Sequence, residues 1–140
     1  MTSMYTAVVT ATGGRNGKIV SDNGVLNLEV RSPKALGGAN DDYANPEMLF
    51  AGGYAACFDS ALNLVMRQQR IRTSETTVIA AVSIGKLDNG GFGLAVTLSV
   101  NIPQVSIEQA QELVEKAHQV CPYSNATRNN IEVTFKVTNN

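Results

Sequence analysis

Several features that mark other classes of protein are absent from this 140-residue sequence. No run of lysine and arginine stands out, and eleven basic residues against twelve acidic ones leave a formal net charge of −1. The basic footprint of a nucleic-acid-binding protein is therefore missing. Glycine, serine, threonine or a charged residue interrupts every apolar run, so none approaches the ~20 residues of a membrane span. We therefore expect neither nucleic acid nor a membrane among the partners.

The N-terminus lacks the basic start and the apolar block of a signal peptide. Residues 1–12 instead alternate apolar and polar side chains, a pattern typical of a strand. A cytoplasmic location is therefore expected. The chain has only two cysteines, and in a reducing cytosol a disulfide is more often catalytic or sensory than structural.

Histidine occurs once, as His118. One histidine and two distant cysteines do not form a zinc-ligand pattern, so a metal site is not predicted. Without a histidine beside Cys57, papain-like acyl chemistry also loses support. The glycine-rich residues 13–17 match neither a phosphate loop nor a dinucleotide motif. We interpret His118 as an exposed structural residue beside the apolar stripe of a helix.

The remaining pattern predicts strands, a long helix, a hairpin, a second helix and a last strand. Alternation of apolar and polar residues marks the strands, which we place near residues 5–10, 26–30, 77–84, 92–102 and 131–137. The strands look antiparallel with one polar face, so the predicted class is α+β. We expect a single domain that spans residues 1–140.

The long helix should begin at Asn45, which is a favoured N-cap residue followed by proline and glutamate. It could run to about residue 70, with the glycine pair at 52–53 as a weak point. Its middle is apolar on nearly all sides, which is typical of a buried helix. In so small a domain such a helix needs cover on several faces, which suggests a second subunit.

The second helix should open at Ser106, which matches a capping box, and should end before Pro122. Its apolar face includes Cys121. Cys57 and Cys121 could both be small buried hydrophobic residues, a common fate of free cysteine. The alternative is a peroxidatic and resolving pair, which requires the two Cα atoms to come within ~7 Å across 64 positions.

A reactive Cys57 needs a basic partner. Its thiol would be only a few per cent ionised at neutral pH, and the sulfur lies too far into the helix to benefit from the helix dipole. Arg15, in its glycine-rich turn, is the best candidate, although it could be an ordinary solvated arginine. Glu47 could hold Arg15 in a bidentate orientation, although an acid is also expected there for helix capping.

Helix length creates a difficulty for this arrangement. Ten residues of straight helix separate Glu47 from Cys57 by ~15 Å, which one arginine head cannot comfortably bridge. Either the helix breaks near residues 52–53, or Arg15 and Glu47 meet the Cys57 of another chain. We favour the second interpretation. Apolar residues near the cysteine could line an entrance to the thiol or belong to the core; they are Met48, Phe50, Tyr54 and Phe58.

These segments resemble the organic hydroperoxide resistance proteins, a branch of the OsmC-like superfamily, over nearly the whole chain. Residues 45–58, NPEMLFAGGYAACF, are similar to the segment around the peroxidatic cysteine of that family. Residues 120–128, VCPYSNATR, are similar to the segment around its resolving cysteine, and residues 13–17, GGRNG, to its arginine-bearing loop. Together the three matches are specific, whereas any one of them alone would be weak.

The resemblance implies an intertwined homodimer with antiparallel sheets packed around central helices. It implies that Cys57 attacks an organic hydroperoxide, that Arg15 stabilises its thiolate and that Glu47 orients Arg15. Cys121 would resolve the sulfenic acid, and dihydrolipoyl groups or a lipoylated protein would restore the thiols. No metal, flavin or haem is implied. Two alternatives remain: the osmotically inducible branch of the same superfamily, and a non-catalytic dimeric module that binds apolar ligands.

Overall fold

The computed structural model describes residues 1–140, which divide into two compact units. We call Met1–Leu49 the N-terminal unit and Phe50–Asn140 the C-terminal unit. Each unit contains one three-stranded sheet, and three helices complete the mixed α+β content that the sequence predicts. The prediction of a single domain stays a prediction.

The N-terminal unit is an antiparallel sheet in the order β1-β2-β3. Its strands are β1 (Val9–Thr12), β2 (Gly17–Ser21) and β3 (Asn27–Val30). The first strand begins later than predicted, and β2 was not predicted because its apolar run is short. Val30 is the only buried apolar side chain in this unit, and β1 is exposed along its whole length. The sheet therefore has almost no core of its own.

Helix α1 (Pro46–Gln68) begins where the sequence predicts. The side chain of Asn45 caps it by accepting a hydrogen bond from the Met48 N–H at 2.9 Å. The helix continues through the glycine pair without a break. By length and composition α1 could cross a membrane, which the interrupted apolar runs of the sequence did not predict; core helices of soluble proteins share this property.

The C-terminal unit contains a sheet in the order β4-β5-β6. Strands β4 (Thr77–Lys86) and β5 (Phe92–Asn101) form the predicted antiparallel hairpin. Strand β6 (Glu132–Thr138) pairs with β5 in parallel, so the prediction of wholly antiparallel sheets is wrong here. The reason is the long helical connection between β5 and β6, which returns the chain to the end at which β5 began.

That connection contains α2 (Ile107–Val120) and a short helix, α3 (Pro122–Thr127). Ser106 caps α2 by accepting the Gln109 N–H at 3.1 Å, as the capping pattern predicts. Helix α3 was not predicted. One face of β5, the inner face of α2 and one side of α1 form the core; its fully buried members include Tyr54, Phe58, Leu62, Leu98, Ile102 and Ala117.

Candidate functional site

The two cysteines meet inside the C-terminal unit. Cys57 lies on α1, Cys121 lies between α2 and α3, and their Sγ atoms are 3.8 Å apart. Both thiols are free; Cys57 is partly exposed and Cys121 is completely buried. The fold therefore brings together two sulfurs that are 64 positions apart in the sequence, as a peroxidatic and resolving pair would require. The two thiols thus differ in exposure: solvent reaches the side chain of Cys57 but not that of Cys121.

Cys121 is held at a junction of two helices. Its N–H donates to the Ala117 carbonyl at 2.8 Å and so closes the last turn of α2. Its backbone is extended, as expected before Pro122. Its sulfur then caps α3 by accepting the Ser124 N–H at 3.5 Å. The proline thus places the sulfur at the only residue between the two helices.

A buried hydroxyl cluster lies next to this junction. The Tyr54 hydroxyl is 3.0 Å from Ser124 Oγ and 3.1 Å from Thr127 Oγ1. Tyr54 belongs to α1, one helical turn before Cys57, and the other two residues belong to α3. The cluster therefore joins the helix that carries the first cysteine to the helix that the second cysteine caps.

The surroundings of Cys57 within one chain disfavour its thiolate. Burial is the main cause that raises the pKa of the Cys57 thiol, and the adjacent Cys121 raises it further. A hydrogen bond from the Tyr123 backbone N–H acts in the opposite direction and lowers it. Because a raised pKa means less thiolate at neutral pH, an additional cation would be needed to make this sulfur reactive.

Arg15 and Glu47 form a bidentate ion pair in the N-terminal unit. Arg15 donates from Nη1 and Nη2 to the two carboxylate oxygens of Glu47, at 2.8 and 2.6 Å. These hydrogen bonds raise the pKa of Arg15 and lower the pKa of Glu47, so both groups are charged at neutral pH. The Arg15 side chain remains 35% exposed, whereas that of Glu47 is 15% exposed. The predicted pairing is confirmed, and the guanidinium keeps an open edge.

A tight turn presents the arginine. Residues 14–16 form one turn of 3-10 helix between β1 and β2. The preceding Gly13 has φ of 78°, a conformation that favours glycine. A Cβ atom there would also lie 2.9 Å from the Asn16 carbonyl oxygen, so a larger residue would open the turn. Glu47 sits in the first turn of α1, where a carboxylate is favourable.

An apolar cavity of about 420 Å³ opens beside the cysteine junction. The rings of Phe50 and Tyr123 form part of its wall, with their centroids 6.3 Å apart. The residues that line the cavity are Phe50, Leu94, Pro122, Tyr123, Ala126, Thr127, Asn130 and Ile131. Of the four residues predicted as entrance or core, only Phe50 lines the cavity. Tyr54 and Phe58 are fully buried core residues, and Met48 is exposed.

Sequence reasoning missed the contribution of Tyr123 and misjudged His118. Tyr123 approaches α1 so closely that a Cβ on Gly53 would lie 2.8 Å from its hydroxyl oxygen. His118 is half-buried and packs edge-on against Phe135 at 4.9 Å, so the prediction of an exposed residue is wrong. Burial lowers its pKa, and the positive charge of Arg128 lowers it further. Strand β6, which carries Phe135, covers the histidine. The periodicity of α2 alone gives no sign of this contact.

The fold and the site together define an α+β protein that holds two free thiols with their sulfurs 3.8 Å apart. A family model described as OsmC-like protein matches residues 38–136. The chain therefore belongs to the OsmC-like family, among the organic hydroperoxide resistance proteins, as its motifs indicated.

Individual relatives and solved structures agree with this assignment. An organic hydroperoxide resistance protein of Xanthomonas axonopodis pv. citri is 49% identical over 133 residues, which cover 94% of this chain and 93% of the relative. OhrA of Bacillus subtilis is 50% identical over 136 residues and 96% of each chain. The crystal structure of an organic hydroperoxide resistance protein from Elizabethkingia anophelis is 70% identical, covers 100% of both chains and superposes with a TM-score of 0.97.

Proposed function

We propose that this protein is a thiol peroxidase that reduces organic hydroperoxides and so detoxifies them in the oxidative stress response. The observation that carries the proposal is the 3.8 Å contact between a partly exposed Cys57 and a buried Cys121. Membership of a family whose relatives from Xanthomonas and Bacillus are named for organic hydroperoxide resistance supplies the substrate class. A cytoplasmic location agrees with a site that works as free thiols.

The proposed reaction has three balanced steps. The Cys57 thiolate attacks the terminal peroxide oxygen of ROOH; the O–O bond breaks, and a proton converts the leaving alkoxide into ROH. Cys57 is then a sulfenic acid. The Cys121 thiol attacks that sulfur, a disulfide forms and water leaves. An external dithiol, which we propose to be dihydrolipoyl or a lipoylated protein, reduces the disulfide and becomes oxidised itself. No metal, flavin or haem takes part.

Arg15 and Glu47 are proposed to supply the cation that the thiolate needs. One positive charge ~4 Å from the sulfur is worth ~4 kcal/mol at an effective dielectric of 20, enough to offset the effect of burial. Glu47 fixes the guanidinium in orientation through both oxygens, and the exposed edge of Arg15 remains available for the sulfur. Because α1 is unbroken between Glu47 and Cys57, we assign the pair to the Cys57 of a second copy of the chain.

Two features support the homodimer in which this would occur. The N-terminal unit buries only one apolar side chain, which is too small a core to stabilise a sheet alone. Helix α1 is apolar over a membrane-length stretch, yet only 28% of that stretch is buried in one chain. A second copy that covers both surfaces accounts for both observations.

The cavity beside the cysteines supports an apolar substrate. Its lining is aromatic and aliphatic, with few polar groups, and its volume of about 420 Å³ suits an alkyl or fatty-acid tail. Hydrogen peroxide would gain nothing from such a surface. A non-catalytic module that binds apolar ligands would have the same kind of cavity. An experiment that separates the two functions must therefore measure the oxidation state of the cysteines.

The decisive experiment counts thiols. The reduced protein is treated with one equivalent of cumene hydroperoxide, beside Cys121→Ser and Cys57→Ser. We expect the wild type to lose both thiols, Cys121→Ser to accumulate a sulfenic acid that dimedone traps, and Cys57→Ser to keep its thiol. Unchanged thiols in the wild type would overturn the proposal and favour the binding module.

The reductant is tested by turnover. Steady-state reduction of cumene hydroperoxide is measured with dihydrolipoamide, with glutathione and with a thioredoxin system. We expect turnover with dihydrolipoamide to be far faster than with the other two. Equal or faster turnover with thioredoxin would remove the lipoyl part of the proposal and leave the cysteine chemistry in place.

A further inference from the structure

The Tyr54 hydroxyl is buried without access to solvent, and nothing in the proposed chemistry uses it directly. It lies within hydrogen-bond distance of two other buried hydroxyls, those of Ser124 and Thr127. A phenylalanine would fill the same space without requiring these partners. The polar cluster therefore does something that packing alone does not require.

The direction of each hydrogen bond in the cluster can be assigned. The Thr127 hydroxyl donates to the Ser124 carbonyl at 3.2 Å. Because a hydroxyl has only one hydrogen, Thr127 Oγ1 must then accept from Tyr54. The single hydrogen of Tyr54 is thereby used, so Tyr54 accepts from Ser124 Oγ. The result is one directed chain, from Ser124 to Tyr54 to Thr127 and back to the Ser124 carbonyl.

This chain fixes the residue that holds the Cys121 sulfur. The Ser124 N–H is the donor to Cys121 Sγ, at 3.5 Å. The Ser124 side chain and carbonyl both belong to the directed chain, so three groups of one residue are restrained together. The anchor on the other side is Tyr54, on the helix that carries Cys57 three residues later. A short path of hydrogen bonds thus connects the residue that contacts Cys121 Sγ to the helix that carries Cys57.

We propose that Tyr54 is a positioning residue for the resolving step, acting through Ser124 and Thr127 to hold Cys121 in reach of oxidised Cys57. This inference rests on the proposed function. In that step the Cys121 sulfur displaces hydroxide from the Cys57 sulfenic acid, the S–S bond forms and the thiol proton leaves with the hydroxide as water. The attack requires alignment of Cys121 Sγ behind the S–O bond, and alignment is the property that a loosened α3 loses.

The test is Tyr54→Phe, which deletes one oxygen and keeps the ring. Rapid mixing with cumene hydroperoxide measures two rates: the oxidation of Cys57 and the closure of the disulfide. We expect oxidation to change less than about twofold, because Tyr54 does not touch the reacting oxygen. Closure should slow roughly 10- to 100-fold, the range that small misplacements cost. Dimedone should consequently trap a sulfenic acid that is short-lived in the wild type.

Matched variants separate positioning from general weakening. Tyr5→Phe makes the same chemical change at a residue 82% exposed and should alter neither rate. Val100→Ala lowers stability through the core and should leave the ratio of the two rates unchanged. Ser124→Ala removes the first donor of the chain and should reproduce the slow closure; it also serves as the test if Tyr54→Phe does not fold.

Failure of the proposed function and failure of the positioning role would give different results. Thiols that survive hydroperoxide in the wild type would end the proposed function itself. Wild-type thiols that react, together with closure at the wild-type rate in both Tyr54→Phe and Ser124→Ala, would overturn the positioning role alone. An equal slowing of oxidation and closure would also overturn it, because the cluster would then support the whole site and not the resolving sulfur.

Discussion

The two units of this chain hold their polar groups by different means. In the C-terminal unit, packing places the thiols: Cys121 is completely buried within the hydrophobic core. In the N-terminal unit there is almost no core, and the Arg15–Glu47 pair depends on two hydrogen bonds and a glycine turn. The thiols are therefore fixed by packing inside one unit, whereas the ion pair lies in a unit that buries only one apolar side chain.

The largest effect is expected in the core that surrounds the thiols. Phe58→Ala removes a ring that is fully buried next to Cys57 and should lower the free energy of unfolding by about 3–5 kcal/mol. Urea denaturation followed by circular dichroism measures it. Tyr5→Ala removes an exposed ring from the N-terminal unit and should change stability by less than about 0.5 kcal/mol. Similar losses in both would contradict the contrast between the units.

Arg15→Ala should have the next largest effect. The pKa of Cys57 should rise, because the cation proposed to offset burial is gone; a rise of about two units corresponds to ~2.7 kcal/mol and about 100-fold less thiolate. Ultraviolet absorbance of the thiolate in a Cys121→Ser background measures the pKa. Lys18→Ala removes an exposed positive charge from the same unit and should leave the pKa in place. An unchanged pKa in Arg15→Ala would remove the arginine from its role.

The apparent free energy of unfolding should depend on protein concentration. If a second copy covers the N-terminal unit and α1, dissociation accompanies unfolding, and each tenfold rise in concentration should add about 1.4 kcal/mol to the apparent free energy of unfolding. Urea midpoints over a hundredfold range of concentration, with sedimentation velocity as a check on mass, measure this. A midpoint that does not move, with a monomer throughout, would contradict the dimer.

The smallest effect concerns the pH dependence of the ion pair. Glu47→Gln should lower the free energy of unfolding by up to about 1 kcal/mol at neutral pH, since the pair is partly exposed. The folded-state pKa of Glu47 is lowered, so its contribution is complete above the ordinary glutamate pKa and is lost as pH falls through the lowered value. The difference between wild type and variant should therefore shrink on acidification. A constant difference would show that the charge of Glu47 is not what stabilises the unit.

Much of the scaffold could be predicted from sequence because its signals are local. The Asn45 cap, the Ser106 cap and Pro122 fix the ends of α1 and α2 to within a few residues. The alternation along β5 predicts its buried face. The signals failed where the structure depends on distant partners: β6 pairs in parallel because of the connection before it, and His118 is covered by a strand that comes later in the chain.

The sequence predicted which residues belong to the candidate site better than it predicted how they are arranged. The Arg15–Glu47 pair and the meeting of Cys57 with Cys121 were inferred from residue chemistry and from resemblance to a family. The hydroxyl cluster was not, because Tyr54 looks like a core aromatic and α3 is too short to show periodicity. A serine and a threonine three positions apart, behind a Cys-Pro pair, were the only signal that could have pointed to it.

The location of Cys121 between two helices has a mechanical consequence. Its N–H closes α2 and its carbonyl accepts the Asn125 N–H at 3.0 Å in α3, so the main chain is engaged on both sides. The sulfurs, now 3.8 Å apart, would approach to about 2.0 Å in a disulfide. A rotation of the side chains that brings the sulfurs together would weaken the contact of Cys121 Sγ with the Ser124 N–H but would not require these two main-chain hydrogen bonds to break. Under the proposed chemistry, the disulfide would then form without unfolding either helix, and the core around Cys121 would stay buried.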